Sequence, residues 1–401
     1  MNVLLAAVMY SPNLGDGVIA ECLTHSARQQ SGPDFDLNWL DLAGRSGFEP
    51  LHRGGQLRTS ALNVLSKLPD LLAVPASRCL VSLQIQRSLV PKFRSSFEHT
   101  DALVIGGGQL LADANMNFPL KLHRMVGEAI RRQVPFAIHS VGVAAAWNRP
   151  ATRLFQQIFE AANLKSVSVR DAGSKANLLR HFEHMRLRRA PVVSVMPDPG
   201  FLAAEICPKV RRSERSRPLI GLGIIHPVAL RLHSSNTVPS DLLERYAALC
   251  GALERAGFDV ALFTNGSLED EQMRTTLRES NLAVFQGGTF VWPDRPQDAR
   301  GLMALISSFD GVISHRLHAN ILAYAYGIPH IGVRWDHKMD AYFELSDREN
   351  FLIGSDFSDP DGIAALMIEA MSSGISAERH VQLCHDARVG IRTTLSALGE
   401  G

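Results

Sequence analysis

Cysteine is scarce. Its five residues (Cys22, Cys79, Cys207, Cys250 and Cys384) are odd in number and scattered, with no Cys-x-x-Cys pair. That argues against a disulfide framework and against a zinc site, and it fits a reducing, cytoplasmic compartment. Long apolar runs are missing too. No stretch of about 20 apolar residues occurs, so no membrane-crossing helix is expected, while peripheral contact at the inner face of a membrane stays open. Neither sign of charge is in excess, with 41 Lys and Arg against 40 Asp and Glu. Bulk charge therefore argues neither for nor against a nucleic-acid partner, and none is expected. Residues 1–10 carry no basic leader and no cleavage-site pattern, and read as a first strand. No internal repeat or low-complexity tract stands out.

What is present is a long alternation of apolar runs and helical patterns. At 401 residues, a prior of roughly 100–200 residues per domain gives two domains. Continuous apolar runs at residues 3–8 (VLLAAV), 102–105, 136–143 (FAIHSVGV), 219–225 (LIGLGII), 259–263 and 311–314 suit parallel strands covered on both faces. Shorter strands are expected at 38–42, 166–169, 192–195, 282–285 and 330–333. Helices are expected over 18–30, 119–132, 151–163, 175–181, 241–256 (capped by Ser240), 270–279, 298–308, 319–326, 341–345, 363–371 and 377–398. The segment 208–218 (PKVRRSERSRP) is basic, polar and bounded by prolines, which makes it a linker. The expected organisation is an N-terminal Rossmann-like domain (1–207), the linker, a C-terminal Rossmann-like domain (219–375) and a last helix (376–401). The fold class is α/β, with two Rossmann-like domains facing across a cleft, GT-B-like.

In such sheets ligands sit at the carboxyl ends of strands, beside helix N-termini, so polar residues at strand ends are the candidates. Asn13, Gly15 and Asp16 follow the first strand; the spacing is not G-x-G-x-x-G, and a plain turn explains it as well as a phosphate or carboxylate loop does. Gly106, Gly107 and Gly108 end another strand, where three glycines allow close approach of a ligand or only a positive φ. Arg170 is either held by Asp171 as a structural pair or directed into the cleft. Asp198 is a site residue or a turn residue, and Thr264-Asn265-Gly266 is open to the same two readings. The block 309–338 is the densest. Its strand is followed by His315, Arg316 and His318, and the next strand runs into Trp335, His337 and Lys338. An Arg and a His at a strand end suit an anion, aided by the helix dipole. Trp335 suits sugar stacking or packing; His226 and His233 are candidates for facing the cleft. Residues 45–100 carry Arg45, Arg53, Arg58, Lys67, Arg78, Arg87, Lys92 and Arg94, with helical patterns near 62–72 and 80–90. This is either a basic face for an anionic acceptor at a membrane surface or a solvated helix face.

Ser314-His315-Arg316-Leu317-His318-Ala319, Tyr326-Gly327-Ile328-Pro329 and Asp336-His337-Lys338 resemble the C-terminal signature of the polysaccharide pyruvyltransferase family. Asn13-Leu14-Gly15-Asp16, the glycine triplet, Ser140-Val141-Gly142 and Ser168-Val169-Arg170-Asp171 resemble its earlier motifs, in order. The resemblance implies a GT-B-like transferase moving pyruvate from phosphoenolpyruvate onto sugar hydroxyls as a ketal. It implies Arg170, Arg316, Leu317 and His318 on the donor, with Asn13, Gly15, Gly106, Gly107 and Gly108 as further binding positions. Lys338 is a third cation. A donor carrying a carboxylate and a phosphate needs several cations. Protonation of its C3 and acceptance of hydroxyl protons need an acid and a base. His318 is the candidate acid or phosphate contact, and Asp16 or Asp198 the candidate base. No metal and no cofactor are expected; the acceptor is a sugar or lipid-linked saccharide. Two other readings stand beside this one. One is a GT-B glycosyltransferase using a nucleotide sugar, although the 314–338 block lacks the paired-carboxylate helix many such enzymes carry. The other is a non-catalytic binding protein on the same fold.

Overall fold

The computed structural model describes residues 1–30, 35–48, 82–83, 85–113, 116–210, 215–233, 241–287 and 290–399. The expected helix over 62–72, the Ser240 cap and four of the basic residues of 45–100 (Arg53, Arg58, Lys67 and Arg78) lie outside them.

By contacts the chain divides into two units. The first comprises Met1–Ser11, Ile19–Pro199 and Asp386–Gly401; the second comprises Pro12–Val18 and Gly200–His385.

The first unit holds a six-stranded, all-parallel sheet in the order β2-β1-β3-β4-β5-β6. Its strands are β1 (Asn2–Ala7), β2 (Asp36–Asp41), β3 (Ala102–Gly106), β4 (Phe136–Val141), β5 (Leu164–Val169) and β6 (Val193–Val195). The central runs β3 and β4 are buried at every position, as expected of strands covered on both faces. The helices are α1 (Leu14–Gln30, from Ile19 onward), α2 (Val90–Ser96), α3 (Asn117–Arg131), α4 (Arg149–Phe159) and α5 (Ala172–Met185). Helix α2 follows a π-helical turn, Ile85–Leu89, and Arg94 pairs with Glu128 of α3 at 3.1 Å. That cation is thus tied into the fold.

The second unit holds a five-stranded, all-parallel sheet in the order β11-β10-β9-β7-β8. These are β7 (Leu219–Gly223), β8 (Asp259–Phe263), β9 (Gly311–Ser314), β10 (His330–Val333) and β11 (Leu352–Ile353). Its helices are α6 (Ala203–Ile206), α7 (Pro227–His233), α8 (Leu242–Arg255), α9 (Leu268–Glu279), α10 (Ala283–Gly287), α11 (Ala299–Ser307), α12 (Leu317–Ala325), α13 (His337–Leu345) and α14 (Pro360–Ser373). The last helix, α15 (Ala377–Gly399), contributes its residues from Asp386 onward to the first unit. There Thr394 lies 2.8 Å from Nδ1 of His139. Among the described residues no helix is long and apolar enough to cross a membrane.

Each sheet has one switch point, where the chain goes to one side and then to the other. It lies between β1 and β3 in the first and between β7 and β9 in the second. The crevice at the carboxyl ends of such strands is the favoured binding place in open α/β sheets. Polar caps mark these ends. Asn148, Asp171, Ser267, Asp298, Asp336 and Asp359 each accept a backbone N–H at the start of the following helix.

Two expectations are corrected. Residues 282–285 form no strand; they belong largely to α10, and the edge beside β8 is taken by a single bridge from Val291 to Ala261. A short apolar run has no period of its own, and the helix packs Phe285 against Trp292, ring to ring at 5.7 Å. Helices α1, α12 and α13 also start earlier than their apolar periodicity suggests. Gly15, Asp16, Leu317, His318 and Lys338 therefore stand in first helical turns, not in loops.

Gly107 shows how tightly α1 sits on β3. Its φ is +71°, and a Cβ there would fall 2.0 Å from Cγ2 of Ile19. Gly107→Ala is expected to lower stability by about 2–4 kcal/mol, from the left-handed backbone and the overpacking together. Urea unfolding followed by circular dichroism measures it; an unchanged midpoint would contradict this account of the glycine.

Candidate active site

The turn after β9 is locked by side chains. Ser314 Oγ accepts the Arg316 backbone N–H at 3.0 Å, and Asn320 Nδ2 donates to the carbonyls of Ser314 and Arg316, both at 3.0 Å. Arg316 thereby becomes the extended residue that precedes α12. Its Nε and Nη2 both donate to Oδ2 of Asp270, at 2.9 and 2.5 Å. Asp270 is fully buried, and its Oδ1 accepts the His226 N–H at 2.8 Å. One carboxylate thus joins the ends of β7 and β9 to the first turn of α9. Among the described residues no acceptor takes Nη1, which is left as a donor. Trp335, at the end of β10, lies between two cations: Arg316 Cζ at 5.8 Å and Lys338 Nζ at 4.2 Å from the ring centroid. Lys338 also pairs with Asp336 at 3.2 Å. Trp335 is buried, so packing is the role it shows here.

The segment after β1 belongs to the same unit. Leu14 N–H donates to the Asn265 carbonyl at 2.9 Å. Gly266, with φ +92°, leaves no room for a side chain against Leu14 and Pro12. Gly15 lies directly on His318, and a Cβ on it would fall 2.5 Å from Nδ1. Only glycine permits that approach. The structure therefore gathers Asn13, Gly15 and Asp16 with Arg316, Leu317, His318 and Lys338 in the second unit. His315 turns away into the core. Its Nδ1 lies 3.5 Å from the Tyr246 hydroxyl, its ring packs edge-on to Phe357, and burial with the Arg316 charge pushes its pKa down to about 3. His226 gives its backbone N–H to Asp270; the side chain of His233 is outside the described positions.

The other sequence candidates sit in the first unit. Gly107 and Gly108 both have positive φ, and Gly107 N–H and Gly108 O bond the strand end of β4 at 3.0 and 2.8 Å. A Cβ on Gly106 would strike Leu23, so close helix packing accounts for the triplet's first two members. The Arg170 guanidinium lies on Gly142, where a Cβ would come within 2.8 Å of Cζ. Its Nε donates to Asp171 Oδ2 at 3.1 Å, while Asp171 Oδ1 caps α5 through Ser174 N–H at 2.6 Å. Of the two readings of Arg170, the acid pair is present. Asp198 is buried, and its charge acts on His139, whose pKa burial nevertheless pushes down to about 4.

Sequence reasoning missed Asp270 and Arg295, and it left Asn265 between a site residue and a turn residue. The signal for Asp270 is the Ser267-x-x-Asp270 spacing of a helix start, which says nothing of Arg316. Arg295 lies in a short segment (Pro293-Asp294-Arg295-Pro296) with no period to place it.

A family model described as polysaccharide pyruvyl transferase matches residues 13–337. None of the curated proteins matches. Among solved structures, the UDP-GlcNAc 2-epimerase from Neisseria meningitidis bound to UDP-GlcNAc aligns with TM-score 0.55 and 12% identity, over 99% of this chain and 100% of that one. The Methanocaldococcus jannaschii UDP-GlcNAc 2-epimerase in complex with UDP-GlcNAc and UDP gives 0.53 and 10%, over 100% and 99%. The spinosyn rhamnosyltransferase SpnG gives 0.51 and 11%, over the whole of both chains. At such identities the likeness shows the fold alone, which is GT-B.

Two outcomes follow from this geometry. Asp270→Asn removes one half of a buried pair and is expected to cost about 3–5 kcal/mol in urea unfolding; a loss under about 1 kcal/mol would mean the pair is dispensable. The second concerns pH. The folded pKa values of His315 (about 3) and His139 (about 4) lie below the ordinary 6.5. Below pH 6.5 the unfolded chain takes up protons that the folded chain refuses, so stability falls as pH drops from about 6.5 toward 4. His315→Gln is expected to flatten that slope by about 1.4 kcal/mol per pH unit. Parallel slopes for variant and wild type would refute the buried neutral imidazole.

Proposed function

This chain belongs to the polysaccharide pyruvyl transferase family, and we propose that it moves pyruvate from phosphoenolpyruvate onto sugar hydroxyls of a polysaccharide or its precursor, as a ketal. The observation that carries the reading is the convergence of two family motifs, Asn13-Leu14-Gly15-Asp16 and Ser314–Ala319, on one place. Gly15 rests on His318, beside an Arg316 that Asp270 holds in a fixed pose.

The chemistry follows from what these groups can hold. Arg316, kept in orientation by Asp270, offers Nη1 to a carboxylate or phosphate oxygen. The first turn of α12, where His318 stands, adds its dipole. A proton delivered to C3 of the enol makes a methyl group and leaves an oxocarbenium-like centre at C2. A sugar hydroxyl attacks C2, the C2–O bond to phosphate breaks, and inorganic phosphate departs. A second hydroxyl then closes the ketal. Two hydroxyl protons are released; one balances the proton gained at C3 and the other leaves on phosphate. His318 is the proposed acid, and Asp16, in the first turn of α1, the proposed base. Arg170 and the 106–108 glycines are proposed as binding positions of the first unit. The acceptor is a sugar or a lipid-linked saccharide, and the reaction is proposed to run without metal or cofactor. The neighbours that bind UDP-sugars share this chain's fold only, and the family match favours pyruvyl transfer over glycosyl transfer.

Calorimetric titration with phosphoenolpyruvate, and with UDP-, GDP- and CDP-sugars alongside, tests the donor. Saturable phosphoenolpyruvate binding is expected, weakened at least tenfold in Arg316→Ala and unaffected by EDTA. Tight binding of a nucleotide sugar with no response to phosphoenolpyruvate would sink the reading.

A further inference from the structure

The three cations that the sequence singles out are each matched by an acid: Arg170 by Asp171 and Lys338 by Asp336, close by in sequence, and Arg316 by Asp270 from the first turn of α9. A matched cation attracts an incoming anion less than an unmatched one. Another arginine in the second unit has no such partner. Arg295 is partly buried, and its Nε donates to the Gly266 carbonyl at 2.9 Å. Among the described residues no carboxylate lies within ion-pair distance of it. The acid whose charge acts on it, Glu271, is itself bonded to Thr264 and to Arg274 at 2.8 Å. Burial holds the pKa of Arg295 below the usual arginine range, as expected of a cation removed from water with too little counter-charge.

The chain brings Arg295 there for a simple reason. Val291 runs parallel to β8, donating to Val260 O at 2.9 Å and accepting from Leu262 N–H at 3.0 Å. The residues after it therefore pass the carboxyl end of β8, where Asn265 and Gly266 stand. Asn265 is only 1% exposed, and among the described residues neither its Oδ1 nor its Nδ2, both buried, has a hydrogen-bond partner. Its own carbonyl receives the Leu14 N–H, the first of helix α1. Asn13 Oδ1, one residue earlier, is likewise buried and unpartnered. Leaving a buried polar group unmade costs on the order of 1–3 kcal/mol. Such a group calls for an explanation, and partnering a ligand is one.

We propose that Arg295, the Asn265 amide and the first turn of α1 form an oxyanion subsite that receives the phosphate or carboxylate of the substrate. The subsite rests on the donor reading above, because phosphoenolpyruvate brings two oxyanions to be held and Arg316 is already shared with Asp270. Arg295 supplies the charge. Nε pinned to Gly266 fixes the plane of the guanidinium and leaves both terminal nitrogens to form a fork. Asn265 supplies a neutral donor, and the helix N-terminus adds partial positive charge. Arg295 is a binding residue here; no proton transfer is assigned to it.

The test is calorimetric titration of the full chain with phosphoenolpyruvate and, separately, with inorganic phosphate. Wild type is compared with Arg295→Gln, Arg295→Lys and Asn265→Asp, with Arg255→Gln as a distant exposed control and thermal midpoints recorded for all. Expected is at least a tenfold rise in Kd for phosphoenolpyruvate in Arg295→Gln, recovered in part in Arg295→Lys. Asn265→Asp keeps the side chain's size and adds a negative charge, so it is expected to lose binding while staying folded. It carries the test if Arg295→Gln does not fold. Equal affinities across wild type, Arg295→Gln and Asn265→Asp would overturn the subsite and leave the donor reading intact. A wild type blind to phosphoenolpyruvate that binds phosphate, with that binding lost in Arg295→Gln, would overturn the donor reading and keep the subsite. Binding of neither anion by wild type would overturn both.

Discussion

A single carboxylate with no solvent exposure organises the C-terminal sheet's functional end. Asp270 accepts the His226 N–H with one oxygen and two Arg316 N–H groups with the other. A carboxylate buried in that position is tolerable because an arginine and a backbone N–H donate to it. The consequence runs outward. The ends of β7 and β9 flank the switch point, and Asp270 fixes the backbone of the first and the side chain of the second. Ser314 and Asn320 then fix the backbone of the second. What the turn presents, namely Arg316 at the entrance of α12 and His318 in its first turn, is thereby preset before any ligand arrives.

Much of this was legible from residue order. The apolar runs marked the strands, their alternation with helical patterns marked two parallel α/β units, and polar residues at strand ends marked the places to look. Two kinds of information were missing. Helix starts were set by contacts such as Leu14 N–H to Asn265 O and Arg316 N–H to Ser314 Oγ, not by apolar period, so Leu14–Asp16 and Leu317–His318 looked like loops. Long-range partners were the other gap. Nothing in Ser267-Leu268-Glu269-Asp270 announces a bond to Arg316, 46 residues on. The 282–285 run failed for a related reason: four apolar residues suit a strand and a helix equally, and the aromatic contact that decides lies outside them.

The charged groups divide by what holds them. Arg170, Arg316 and Lys338 are positioned by acids, which gives precise placement and a weakened field. Arg295 is positioned by a carbonyl, with no acid within ion-pair distance among the described residues, so less of its charge is offset. The difference between a positioned dipole and a positioned charge is invisible in a count of basic residues. It appears only once each guanidinium's partners are known.

The short segment Pro12–Val18 clusters with residues far along the chain, while its flanks on both sides cluster with the N-terminal sheet. Modular exchange between relatives therefore has no clean seam. A chimera that grafts residues 200–385 from one homologue into another would inherit the recipient's version of the segment that lies against Asn265, Gly266 and His318. Evolution of that surface has to be concerted across some 250 residues of sequence, roughly the span from Leu14 to Asn265. A substitution at Gly15 or His318 in one lineage constrains the other, whatever happens in between.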